Sequence, residues 1–341
     1  MTVIIGIDPH KATHVAVAID GDERAIARLE VTADRAQTQR LLAWAAPLGD
    51  RRMWAVESAD GLGKLLSQEL LAAGEHVVDV PPTLSARVRL LGSAKAAKND
   101  GNDALSTAIA GLRHCGLRMV RGDDHSTALR LLAGRYDDLV SLRTQAACRL
   151  HAVLRELVAG GAPRRLSADR AAKLLRSVHP EGLVADERKR LAAELLADVR
   201  RLDRELVAIK TRIRDAVETS ATTLLDLHGV GPIVAGLILA YVGDPARFPT
   251  PERFASYNGT APIEASSGPR KRHRLNPRGN RKLNHAMHLI AVTQIAHDTP
   301  GRVYYQRKLV ESKTKKEALR ALKRRISDAV WRQLQVDLAA R

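Results

Sequence analysis

The sequence predicts an α/β domain joined to a mainly helical remainder. Two observations carry this. The first 80 residues alternate short apolar runs with amphipathic stretches. Residues 126–158 and 185–219 are long, rich in Leu, Ala and Arg, and nearly free of Gly and Pro.

The elements follow in order. Thr2-Val3-Ile4-Ile5-Gly6-Ile7-Asp8 and Thr13–Asp20 read as two strands around Pro9-His10-Lys11. Gly21-Asp22 reads as a hairpin turn into a third strand over Ala25–Val31. Residues 33–47 carry a helical pattern, Met53–Glu57 a short buried strand, and Leu62–Ala73 a helix stopped by Gly74. His76–Val80 is a further strand closed by Pro81-Pro82. An antiparallel hairpin group followed by strand–helix alternation suits a ribonuclease-H-like mixed sheet. From about 83 to 220 the pattern is almost wholly helical, loosened at Gly160-Gly161-Ala162-Pro163. The apolar positions Leu191, Leu195, Leu202, Leu206, Ile209 and Ile213 fit either a coiled-coil-like linker arm or an ordinary bundle helix. A new unit starts near Thr222, and residues 301–341 are helical and basic. The expected division is 1–125, 126–220 and 221–341.

The net charge is +17 over 341 residues. Such an excess favours a polyanionic partner, because neutralising phosphates is the common use of so basic a surface. Aromatics make up only 3%, which argues against a base-stacking platform. No run approaches the roughly 18 apolar residues of a membrane span. The N-terminus reads as a strand and not a signal peptide, so a soluble cytoplasmic, nucleoid-associated protein with no membrane partner is expected. Cys115 and Cys148 are too few for a zinc or disulfide framework, and both are expected in helices, reduced and inert.

Four acids carry the chemistry. Asp8 and Glu57 each end an apolar strand, and Asp100 and Asp103 lie three apart where a helix begins. Mg²⁺ takes oxygen ligands, and carboxylates gathered from strand ends and one helix face are a donor set for it. Paired ions of this kind act on phosphoryl displacement. A second feature is Gly229-Val230-Gly231-Pro232 before an apolar helix. It is either a helix-hairpin-helix-like phosphate turn or a simple helix connection. The third is Ala265-Ser266-Ser267-Gly268-Pro269, followed by seven Lys or Arg between 270 and 282: Arg270, Lys271, Arg272, Arg274, Arg278, Arg281 and Lys282. A serine beside Gly and arginines can attack a phosphate while guanidinium groups offset the developing charge. His285 and His288 share a helix face and serve packing or phosphate contacts, since no third ligand accompanies them.

Taken together, the residues resemble the DEDD-type insertion-sequence transposases related to the Piv DNA invertases, the bridge-RNA-guided recombinases. The likeness runs through Gly6-Ile7-Asp8-Pro9-His10-Lys11, Val56-Glu57-Ser58 and Lys98-Asn99-Asp100-Gly101-Asn102-Asp103-Ala104. It continues through Leu227-His228-Gly229-Val230-Gly231, Phe254–Pro262, Ser266-Ser267-Gly268 and Arg278-Gly279-Asn280. The resemblance implies a RuvC-like N-terminal domain, a helical arm and a C-terminal transposase domain. It implies Mg²⁺ on Asp8, Glu57, Asp100 and Asp103, with Ser267 as nucleophile and Ser266 as the alternative. Nucleic-acid contacts are expected from Lys11, Gly229, Gly231, the basic run and Asn280. The implied partners are double-stranded donor and target DNA, a structured non-coding guide RNA, and further copies of the chain as a dimer assembling to a tetramer. The other reading is a metal-dependent, RuvC-like Holliday-junction nuclease that uses water and no serine.

Overall fold

The computed structural model describes residues 2–92, 100–164, 166–264, 273–274, 276 and 279–340. The chain forms two compact units, Met1–Asp123 and Asp124–Arg341.

In the first unit, strands β1 (Val3–Pro9), β2 (Thr13–Ile19) and β3 (Ala25–Thr32) form an antiparallel meander. Strands β4 (Arg52–Glu57) and β5 (Val77–Val80) extend it in parallel from β1, giving the order β3-β2-β1-β4-β5-β6. This is the ribonuclease-H-like sheet expected from the pattern of runs. The last strand, β6 (Arg118–Met119), was not expected. Two residues paired antiparallel to β5 are too short to show a period.

Helices α1 (Gln37–Ala45) and α2 (Lys64–Ala72) bring Leu41, Leu66 and Leu70 to one core with Ile5, Ile7, Trp54 and Val56. Helices α3 (Pro82–Gly92) and α4 (Asp100–Arg113) bring Leu84, Val88, Ala104 and Ala108 to the other, with Ile4, Val17, Ala55 and Val80. Both faces of β1 are thus covered, which is why its sequence is an unbroken apolar run. The first hairpin turns between Asp20 and Arg24, where the Asp20 carboxylate accepts from the backbone N–H of Asp22 and Arg24. Glu23 takes the left-handed backbone there, at φ 66°.

In the second unit, α5 (His125–Leu157) and α7 (Leu183–Thr219) run antiparallel. Their direction is fixed by pairs such as Arg135–Glu205 and Arg188–Glu156. Between them stands α6 (Ala168–Ser177), whose Ala171 and Leu175 pack on Leu150, Leu154, Leu195 and Leu196. The sequence shows only a looser stretch between the two long helices, since ten residues show little of a helical period. The main core joins α5 and α7 to α8 (Pro232–Val242), α10 (Arg281–Ala296) and α12 (Lys315–Ala339). The long helices therefore share a core with the C-terminal elements. Leu191 is exposed, and its neighbour Ala192 is buried in the smaller core around α6. Helix α9 (Pro251–Tyr257), the strand pair β7 (Ile263–Glu264) and β8 (His273–Arg274), and helix α11 (Pro300–Val310) complete the unit.

Both cysteines are free and exposed. Cys148 is in α5, but Cys115 lies in the turn after α4 and not in a helix. No helix among the described residues is long and apolar enough to cross a membrane.

Candidate active site

Strand periodicity places the first two acids. Side chains alternate faces along a strand. Ile4 belongs to the face covered by α4, and Asp8 follows it by an even number of residues. Ala55 belongs to the same face, and Glu57 follows it by two. The parallel register Ile7↔Val56 then sets Asp8 level with Glu57 on neighbouring strands.

Helix α4 crosses this face very closely. A Cβ on Gly6 would stand 2.2 Å from the Ala104 carbonyl oxygen and 2.3 Å from the Ala108 nitrogen. Glycine at 6 and alanines at 104 and 108 allow the backbones to approach. That approach carries Asp103 over the strand ends.

The result is a cavity of about 270 Å³ lined by Asp8, Glu57 and Asp103, with His10, Ser58 and Arg89 among its walls. Asp8 is 7% exposed, and its Oδ2 lies 3.2 Å from His10 Nε2. The Thr107 hydroxyl donates to the Asp103 carbonyl at 2.9 Å, and its oxygen lies 3.4 Å from Glu57 Oε2. The Asp103 carboxylate is paired with the Arg89 guanidinium from α3. Strand β4 breaks directly after Glu57, where Ser58 holds φ 50°. Left-handed backbone at a non-glycine residue stores strain, and such positions cluster at functional sites.

The structure brings three of the four expected carboxylates to one cavity. For the fourth, Asp100, only the backbone at the start of α4 is described. Among the described residues no three of His, Cys, Asp and Glu stand close enough together to hold a metal ion. Asp103 takes its counter-charge from Arg89. The donor chemistry, hard carboxylate oxygens on a concave surface, suits a divalent cation such as Mg²⁺.

Next to this cavity lies another of about 380 Å³, lined by His10, Lys11, His14, Gln37 and Glu69 among others. Lys11 is exposed there. His14 is buried, its Nε2 2.9 Å from Gln37 Oε1. Burial pushes its pKa below the ordinary value of 6.5, although the Gln37 hydrogen bond works the other way.

In the second unit the expected contacts divide. Gly229 holds φ +90° and packs on Ile290 and Thr293 of α10, while Gly231 is exposed as the N-cap residue of α8. Asn280 caps α10, its Oδ1 accepting from the N–H of Lys282 and Leu283. Lys282 pairs with Asp137, which raises its pKa, and Arg281 is exposed. His285 is exposed and His288 half-buried on the same helix. Burial lowers the His288 pKa, aided by Lys323 and His285. Ser266, Ser267, Arg270, Lys271, Arg272 and Arg278 lie outside the described residues, and of Arg274 only the backbone in β8 is described.

Sequence reasoning missed Arg89 and Thr107, which act on the acids from other turns of helix and carry no local signal. It quoted His10 only as part of a motif, although its place two residues after Asp8 is what brings it to the carboxylate.

Residues 5–159 match a family described as "Transposase", of the DEDD type named for IS110. Residues 221–306 match the "Transposase IS116/IS110/IS902 family". The chain belongs to the IS110/IS116 family of insertion-element transposases. This transposase is therefore an enzyme acting on DNA. It is 29% identical to an uncharacterized 44.8 kDa protein of insertion element IS116 from Streptomyces clavuligerus, over 97% of this chain and 94% of that one. It is likewise 29% identical to an uncharacterized 42 kDa protein of IS900 from Mycobacterium paratuberculosis, over 97% and 95%. Among solved structures, RuvC of T. thermophilus in complex with a Holliday junction substrate matches 35% of this chain and 100% of its own, at 18% identity and a TM-score of 0.29.

Proposed function

We propose that this transposase cuts and rejoins DNA strands in a divalent-metal-dependent reaction centred on Asp8, Glu57, Asp103 and Asp100, with Ser267 as nucleophile. The observation that carries the reading is the convergence of Asp8, Glu57 and Asp103 on one cavity from β1, β4 and α4. These carboxylates would hold Mg²⁺, whose chemistry is to offset charge on a phosphoryl group as it is displaced. His10 orients Asp8, and Thr107 orients Glu57.

The Ser267 hydroxyl attacks the scissile phosphorus and releases its proton to water. A serine–phosphate bond forms, the bond to the departing deoxyribose oxygen breaks, and that oxygen takes up a proton from water to leave as a strand hydroxyl. A strand hydroxyl then attacks the phosphoserine, restoring the serine and joining the new strand. Ser266, its neighbour in sequence, is the alternative nucleophile. Basic residues from Arg270 to Lys282, together with Lys11, Gly231 and Asn280, contact phosphates. A structured guide RNA pairs with donor and target DNA, and base pairing then carries the sequence choice, as in other guided systems. The working assembly is a dimer that pairs into a tetramer.

The test replaces one acid. Asp8→Asn should abolish Mg²⁺-dependent cleavage of cognate DNA and leave DNA binding within a few-fold of wild type. Cleavage by the variant at the wild-type rate would remove the carboxylate centre.

A further inference from the structure

We propose that a second cavity, between the Gly259–Pro262 loop and α12, binds the phosphodiester backbone of a nucleic-acid strand. It has a volume of about 420 Å³ and lies wholly within the second unit. The inference rests on the DNA-acting function above and extends it to a new place.

Four cations of α12 line this cavity: Arg320, Lys323, Arg324 and Arg325. Positions 320, 323 and 324 share one helix face, since residues three and four apart are neighbours. Arg325 reaches the cavity beside Tyr304 of α11, its guanidinium 5.8 Å from the ring centroid. Among the described lining residues there is one carboxylate, Asp328, and it is already paired with Arg324. A basic run on a convex helix face is ordinarily a solvated surface. Here the cations share a concave wall, and one of them is buried.

That one is Lys323, only 8% exposed. Lysine is rarely buried without a partner of opposite charge. Its Nζ donates to the neutral Oδ1 of Asn284 at 2.6 Å, and no carboxylate among the described residues pairs with it. Asn284 is itself fixed by donating to the Asn258 carbonyl at 3.0 Å. An ammonium has three donors, so Lys323 is held in place with capacity to receive an anion. Burial also lowers its pKa. A phosphate in the cavity would offset that penalty. The opposite wall leads into β7, and in sequence Pro262 stands five residues before Ser267 (267 − 262).

The experiment measures binding of the full chain to a labelled duplex DNA and, separately, to a labelled single-stranded RNA across a salt series. Each neutralised phosphate contributes about 0.9 to the slope of log affinity against log salt for duplex DNA, and about 0.7 for a single strand. Arg320→Ala/Arg325→Ala changes two exposed side chains and should lower the slope by about 1.8 on DNA or about 1.4 on RNA. Lys323→Met should lower it by about 1. Lys315→Ala/Lys316→Ala, exposed on the same helix and outside the cavity, is the control and should lower it by less than half as much as the arginine pair. A loss on DNA alone, on RNA alone or on both supports the site and names its strand. Unchanged slopes on both probes, or equal losses from the control pair, overturn it. Failure of the wild-type chain to bind either probe in a salt-dependent way would instead sink the underlying DNA-acting reading.

Discussion

Gly6→Ala tests the geometry on which the proposed active site depends. The added Cβ would stand 2.2 Å from the Ala104 carbonyl oxygen, 2.3 Å from the Ala108 nitrogen and 2.7 Å from the Ala108 Cβ. Two of these are backbone atoms, so no side-chain rotation relieves the contact. Ordinary contact begins near 3.4 Å, and α4 must recede by about 1.2 Å (3.4 − 2.2). Overpacking of this kind costs roughly 1–3 kcal/mol. Asp103 precedes Ala104, so the displacement moves a proposed metal-binding carboxylate away from Asp8 and Glu57. Misplacing a reacting group by 1 Å can cost about 100-fold in rate.

The assay has two arms. Tryptophan fluorescence follows urea unfolding in a Trp331→Phe background, leaving Trp44 and Trp54 of the first unit as reporters. Cleavage of cognate DNA is measured in parallel. Gly21→Ala is the control, because a Cβ there meets nothing within 4 Å. The expected result is an earlier unfolding midpoint and about 100-fold slower cleavage for Gly6→Ala alone. An unchanged midpoint with full cleavage would refute the claim that the α4–β1 approach builds the site.

Three further outcomes follow from the same structure. Arg89→Ala removes the cation that now serves Asp103, so Mn²⁺ should bind several-fold tighter by titration calorimetry; equal or weaker binding would show that Arg89 does not compete with the metal. His14 has a folded pKa below its ordinary 6.5, so protons favour the unfolded chain: first-unit stability should be full above about pH 6.5 and decline below it. His14→Gln should flatten that decline in unfolding midpoints measured across the range, and an identical decline in the variant would place its cause elsewhere. Gly279→Ala drives a Cβ to 2.4 Å from Gly259 Cα, so the second unit should lose roughly 1–3 kcal/mol in denaturant unfolding; wild-type stability would mean the 259–262 loop adjusts freely.

How much was legible depended on how local the signal was. The runs ending in Asp8 and Glu57 are local, and strand period places both acids on one face once the sheet order is known. The start of α4 at Asp100 was visible from the acids at its mouth. The pairing of β6 with β5 was not, because two residues show no alternation. Arg89 meets Asp103 from another helix, fourteen residues away in sequence, and nothing near either residue announces the other. Leu191 fits the apolar spacing of α7, yet it is exposed, and the smaller Ala192 beside it takes the buried position in the core with Leu150 and Leu154. The cations of α12 were readable as a charge run. Their concave setting against the Gly259–Pro262 loop depends on tertiary packing between segments some sixty residues apart in sequence, from Gly259 to Lys323 (323 − 259 = 64).

The most direct measurement incubates the full chain with the proposed guide RNA, Mg²⁺ and cognate DNA, and looks for a protein–DNA adduct on a denaturing gel. Wild type should give an adduct that Ser267→Ala and Asp8→Asn both lose. Cut DNA with no adduct from the wild-type chain would contradict the account and leave a hydrolytic nuclease in its place.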